Sequence, residues 1–264
     1  MKIHPTALVD SGARLGAGVV IGPYAVVESD SEIGEGCEIR AHAVVKRFTR
    51  MGRENVVHEG AVLGGEPQDV AFGGGPSPLD IGSRNLNREG VTIHRGSSAD
   101  SPTVVGSDCF LMAYSHVAHD DRVGDGVILA NAVLLAGHVE VADRAFLSGG
   151  VVVHQFCRVG RLAMVGGNSK VVMDCLPFVN SSGVPARAAG LNVVGLRRAG
   201  VGPEARRALK QAYRILLRSG LPLAAALEEM AGLSDPLVDE MTAFARSSKR
   251  GFHRAARRSD DDME

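Results

Sequence analysis

The stretch His116–Val139, "HVAHDDRVGDGVILANAVLLAGHV", packs three histidines and three aspartates into a run otherwise built from glycine and small aliphatic residues. Imidazole is the side chain whose charge changes near neutral pH, and it is the commonest zinc ligand. Three uses are therefore open to these histidines. They could decorate an exposed face, hold a metal in the manner of γ-type carbonic anhydrases, or move a proton. For the last, Asp120 or another carboxylate could orient the ring of His119, which would take a proton from a substrate hydroxyl or amine, a role worth about 10²- to 10⁴-fold in rate. The chain advertises no nucleophile of its own: GxSxG is absent, as is a GxxxxGK phosphate loop. None would be needed if an acyl donor arrived already activated. "GAGVVIG" looks like a dinucleotide fingerprint, but its glycines belong to a different pattern.

That pattern is a period of six. Stepping from Ile3 gives Val9, Leu15, Ile21, Val27, Ile33, Ile39, Val45, Met51, Val57 and Leu63, and a second comb runs from Val105 to Val171. A bridging piece, "IGSRNLNREGVTIHRG", carries Ile81 and Ile93 but puts Asn87 in the slot. A sustained six matches neither the 3.6-residue helix nor the two-residue strand alternation. It matches a parallel β-helix in which each hexapeptide supplies a short strand and a corner, and three hexapeptides complete a coil. The expected fold class is mainly β, a β-helix with a small C-terminal helical domain; hexapeptide units of this kind resemble the left-handed β-helix family.

Eighteen residues per coil turn spacing into geometry, with successive coils about 4.8 Å apart. His119 then stacks under Gly137 and Gly137 under Gln155, while Asp120 stacks under His138 and His138 under Phe156. His119, Asp120, Gly137, His138, His154 and Gln155 crowd one edge of three coils, and none occupies an inward slot. Gly137, without a side chain, could aim its backbone N–H at a developing oxyanion, a donor worth about 3 kcal/mol.

Other features bound the reading. The rod is expected over residues 1–190, with external loops where Gly and Pro interrupt the comb at 64–80 and 95–103, and "NSSGVPARAAGLN" reads as a loop. Helices are expected from Pro203, in "PLAAALEEMAG" and in "DPLVDEMTAFARSSKR", within a domain spanning 191–254, with Ala208, Ala212, Ile215 and Leu216 on one face. Residues 255–264 read as a disordered tail. A formal net charge of -1 gives no global field for nucleic acid or a membrane surface. No run of apolar residues is long enough for a membrane span and no signal peptide is evident. Four widely spaced cysteines, Cys37, Cys109, Cys157 and Cys175, point to a reducing, cytoplasmic setting.

The motifs "GEPQD", "VTIHRG", "HVAHD", "LAGHV", "VHQFCRVG", "MVGG", "GLNVVGLRR" and "QAYRILLRSG" together resemble the UDP-N-acetylglucosamine acyltransferases of lipid A synthesis, along nearly the whole chain. The resemblance implies transfer of a hydroxyacyl chain from acyl carrier protein to the sugar 3-position, in a cytoplasmic homotrimer with sites between neighbouring rods. No metal or separate cofactor is implied, the acyl-phosphopantetheine being carried by the donor protein. It implies that His119 is the general base and that Gly137 supplies the oxyanion contact. It further implies that Gln68, Asp69, His116, His138, His154 and Gln155 touch donor or acceptor, that Asn192 and Arg198 approach the nucleotide, and that Gly167 leaves room for a longer acyl chain. Three positions depart from the family pattern: Ala71 replaces a common lysine, Val194 a glutamate and Ala199 an arginine. A 3-amino sugar acceptor, giving an amide, stays open on these residues; the nearest enzymatic rival, the N-acyltransferase later in the pathway, normally carries an extra N-terminal domain, and the comb beginning at Ile3 argues against it.

Overall fold

The computed structural model describes residues 1–255. Most strands are two residues long and fall on the expected comb, one outward and one inward residue each, as in Val20–Ile21, Val26–Val27 and Glu32–Ile33. They stack into three sheets of eleven, nine and eight strands that form the faces of a prism, all parallel except the last strand of the largest sheet. The register is eighteen residues through most of the stack, for example His116 against Leu134 and Leu134 against Val152, and shortens to sixteen at the last coil, where Met164 meets Asn180. Loops at 64–80 and 95–103 leave the prism without breaking the stack, since Leu79 still pairs with Thr49 below and Thr103 above. The inward residues make one continuous aliphatic core, with Val27, Ile39, Leu63, Ile93, Leu129 and Val165 almost wholly buried. Asn87 is buried in the inward slot as well. Only the first coil is thin: Ile3 is exposed and Val9 and Leu15 are half-buried, because no coil lies beneath them.

Most corners place a residue in the left-handed region, a conformation taken by non-glycine residues mainly when the surrounding structure demands it. Asp120, His138 and Phe156 all do so, with φ of 62°, 61° and 64°. The three stacked corners therefore share one backbone shape.

The segment after Val179 is not the loop expected from its sequence. Val179–Gly183 and Ala186–Leu191 form an antiparallel hairpin whose first strand continues the largest sheet. Its small residues hid the pattern, yet Val179, Ser181, Ala186 and Ala188 alternate inward and are buried. Four helices follow: α1 (Val193–Arg198), α2 (Pro203–Arg218), α3 (Leu223–Ala231) and α4 (Pro236–Ser247). Pro203 and Pro236 open α2 and α4, where a missing N–H costs nothing. Asp235 caps α4 by accepting from the N–H groups of Leu237 and Val238. On α2 the buried face is Leu209, Ala212, Tyr213, Ile215 and Leu216, while Ala208 lies at its edge. These side chains share a core with Leu162, Leu176 and Phe178, so the helices cap the last coils. Of the segment expected to be a disordered tail, all but Ala255 lies outside the described residues. Ala255 itself is bridged to Ala188.

Candidate active site

His119 sits at a corner, two residues past inward Val117, and is mostly buried. Its Nδ1 lies 2.7 Å from Asp120 Oδ2. An ionised carboxylate only accepts, so Nδ1 carries the proton and Nε2 keeps its lone pair. Asp120 is itself anchored. Its Oδ1 accepts from the Ser97 N–H at 2.9 Å, and its own N–H donates to Thr103 Oγ1 at 2.8 Å. Burial opposes the charge on Asp120, but hydrogen bonds from Ser101, Ser97 and His119 outweigh it and bring the carboxyl down to about 2. Asp120 is thus ionised at any working pH and stabilises an imidazolium at His119.

One coil up, Gly137 lies directly over the ring. A Cβ built there would stand 2.6 Å from His119 Cε1 and 2.7 Å from Nε2, so only glycine fits without moving the imidazole. The expected stacking is therefore realised at contact distance. The neighbouring amides are consumed by the coil ladder: Ala136 N–H donates to the Val153 carbonyl and His138 N–H to the His119 carbonyl. The position between them is the one that Pro5 and Pro23 occupy at other corners, where no N–H exists to be satisfied. The N–H of Gly137 is thus spare, beside the free nitrogen of His119.

The remaining histidines surround this pair. His138 meets the His119 ring edge to face with centroids 5.3 Å apart, stacks on Phe156 at 4.7 Å, and brings Nε2 to 3.5 Å from Asp120 Oδ2. His154 and Gln155 are exposed at the corner above, where the His154 ring bonds the Gln155 carbonyl. His116 projects outward from its strand, its Nδ1 2.7 Å from Thr92 Oγ1 and its ring edge-on to His94. Burial, with His94 and His119 nearby, lowers His116 to about 4, so its ring is neutral near pH 7. Asp120, His138 and Phe156 open onto a groove of about 520 Å³ that also meets Arg122, Arg158 and Lys249. Ligand atoms of His119, Asp120 and His138 lie within 4.8 Å of one another. A cation there would have to displace the proton shared between His119 and Asp120.

The other residues expected at the site lie at other places in the fold. Gly167 occupies a different corner, between the sheets that carry Val165 and Val171, and its nearest neighbour would be the Gly149 carbonyl. Gln68 and Asp69 ride on the 64–80 loop, where Asp69 closes a turn on the Ala71 N–H. That loop is clamped by Arg95, which donates to Glu66 and to the Gly75 carbonyl and lies over the rings of Phe48 and Phe72. Asn192 caps α1: its Oδ1 accepts from the Gly195 N–H and its Nδ2 donates to the Leu162 carbonyl, so both ends of the carboxamide are already engaged. Arg198 is exposed in the last turn of that helix. Sequence reasoning missed Ser97, Ser101, Thr92 and His94. The bonds that Ser97 and Ser101 make to Asp120 arise from a loop folding back, for which the repeat offers no spacing rule.

Residues 174–253 match the family described as UDP N-acetylglucosamine O-acyltransferase, domain 2, and residues 12–47 match the bacterial transferase hexapeptide (six repeats) family. The acyl-[acyl-carrier-protein]–UDP-N-acetylglucosamine O-acyltransferase of Alkalilimnicola ehrlichii is 49% identical over 256 residues, which are 96% of this chain and 99% of the relative. The Herminiimonas arsenicoxydans enzyme of the same name is 46% identical over 259 residues, with the same coverage of 96% and 99%. The crystal structure of the Moraxella catarrhalis UDP-N-acetylglucosamine O-acyltransferase superposes with a TM-score of 0.94 at 40% identity, covering 96% of this chain and 100% of that one. The fold is thus the left-handed parallel β-helix with C-terminal helices. With this identity and coverage, the chain belongs to the acyl-[acyl-carrier-protein]–UDP-N-acetylglucosamine O-acyltransferase family.

Proposed function

We propose that the protein transfers a 3-hydroxyacyl chain from acyl carrier protein to the 3-hydroxyl of UDP-N-acetylglucosamine, with His119 as general base. The observation that carries this reading is the imidazole held by Asp120 at 2.7 Å and roofed by side-chain-free Gly137. His119 Nε2 takes the hydroxyl proton as the sugar oxygen attacks the thioester carbonyl, and Asp120 stabilises the resulting imidazolium. The Gly137 N–H meets the oxyanion of the tetrahedral intermediate. Collapse breaks the C–S bond, and the proton on His119 passes to the departing thiolate. His116, His138, His154 and Gln155 flank the reacting atoms, Gln68 and Asp69 reach them from the loop, and Arg198 serves the nucleotide. Acceptance of an oxygen rather than an amine accords with the names of the relatives.

Assembly as a homotrimer belongs to the same proposal. One sheet turns Leu86, Phe110, Ile128, Phe146 and Met164 outward in register, a stripe suited to burial between subunits. Another alternates Arg122, Glu140 and Arg158 and suits water. A cytoplasmic setting is supported by four free cysteines, and no described helix is long and apolar enough to cross a membrane. The test is His119→Ala. Transfer, read by mass on purified protein, is expected to fall by about 10²- to 10⁴-fold, while the mass by light scattering stays that of a trimer. Undiminished turnover refutes the assignment, and loss of wild-type turnover on chelation would transfer the role to a metal.

A further inference from the structure

Beside the inward comb run columns of corner residues that also face the interior. One of them passes through Thr49, Leu79, Thr103, Asp121, Val139 and Cys157, all with 2% exposure or less. Its members are otherwise uncharged, and a small or aliphatic side chain satisfies the packing. Asp121 is the exception, fully buried. Burial pushes the Asp121 carboxyl well above the usual carboxylate range, and the two backbone hydrogen bonds it accepts only partly offset that cost; it stands at the step between the coil of His119 and the coil of Gly137.

Its two oxygens bind one amide from each corner. Oδ2 accepts from the Ala118 N–H at 2.9 Å, the amide just before His119. Oδ1 accepts from the Val139 N–H at 2.7 Å, two residues past Gly137. At some corners the amide equivalent to Val139 closes its own turn, as Ala13 does on Asp10 and Cys157 on His154, and at others a buried asparagine of the coil below accepts from it, as Asn55 does from Asn85 and Asn85 from Cys109. Those asparagines use their other end to donate to carbonyls, whereas Asp121 accepts with both oxygens and so ties the Ala118 amide to the Val139 amide. Asp120 and Asp121 divide the work: the first turns outward to the ring, the second inward to the backbone.

We propose that Asp121 is a positioning residue whose carboxyl group, by bracing the Ala118 and Val139 amides, sets the spacing between the His119 imidazole and the Gly137 N–H. The inference rests on the acyl-transfer reading. It goes beyond it in assigning reactivity to a side chain that touches neither substrate nor base. The spacing has no slack, since the ring already fills the place of a Cβ on Gly137.

Asp121→Asn turns one acceptor into a donor facing an N–H, and Asp121→Thr copies Thr103 one coil below. Kinetics with acyl carrier protein thioester and UDP-N-acetylglucosamine are expected to show kcat lower by about 10- to 100-fold in both. KM for each substrate should stay within about threefold and melting within a few degrees of wild type. In 13C-histidine-labelled protein without substrate, the His119 resonances should move in both variants. The proposal is overturned if kcat stays within threefold of wild type or His119 does not move. It is equally overturned if either variant fails to fold, or if both KM values rise in step with lost stability, since the carboxyl group is then only structural. A wild-type protein that turns over neither substrate sinks the acyl-transfer reading instead, and the His119 resonances still decide the bracing.

Discussion

Gly137→Ala isolates the contact on which the site depends. Gly137 lies outside the left-handed region, so alanine meets no backbone penalty there. The new methyl would stand 2.6 Å from His119 Cε1, whereas ordinary contacts begin at 3.4 Å. The ring must retreat by about 1 Å, a displacement that costs about 10²-fold when it separates reacting groups. Retreat is the only outlet, because Asp120 holds Nδ1 and His138 closes the edge of the ring. Initial rates from mass-resolved product should therefore fall about 100-fold, equivalent to about 2.7 kcal/mol of transition-state stabilisation. Melting should change little, since replacing glycine gains about 0.4–1 kcal/mol from the unfolded chain. Gly202→Ala, where a Cβ meets nothing within 4 Å, is the control and should keep full activity. A Gly137→Ala rate within threefold of wild type would show that the ring tolerates displacement, and the stacking argument would fail.

Two further outcomes are expected. Asp120→Asn should lower kcat by about 10²- to 10⁴-fold, because an amide NH2 facing Nδ1 drives the proton to Nε2 and removes the lone pair that accepts from substrate; preserved kcat would show that the carboxylate does not select the tautomer. Two sets of groups make stability fall with acid in two stages, against the opposite contribution of Asp121, whose carboxyl is pushed well above its ordinary range by burial. His116 and His253 are held at about 4, below the ordinary 6.5, so the unfolded chain gains protons first and melting temperature should drop as pH falls from 6.5 to 4. Asp120, held at about 2 against 3.8, adds a further loss as pH falls from about 4 toward 2. Melting followed from pH 8 downward checks both stages, and His253→Leu should flatten the first.

The period of six was sufficient to name the prism, its inward residues and the superposition of His119, Gly137 and Gln155, because a parallel stack with fixed coil length converts sequence separation directly into height. For the same reason Asp120 and His138 could be placed on one edge before any coordinate. Helices α2, α3 and α4 were equally legible from proline starts and apolar spacing. The hairpin at 179–191 was not, since its alternation is written in Ser and Ala, whose burial depends on what packs above them. Nor does the period say which way a corner side chain turns: adjacent Asp120 and Asp121 read alike, yet one faces the imidazole and the other the core. The return of Ser97 onto Asp120, the clamp of Arg95 on the 64–80 loop and the engagement of Asn192 in capping are contacts between segments that no repeat relates. Local spacing determined the scaffold, while the charge, tautomer and reach of the site residues were decided by the loops and corners that the folded chain brings around them.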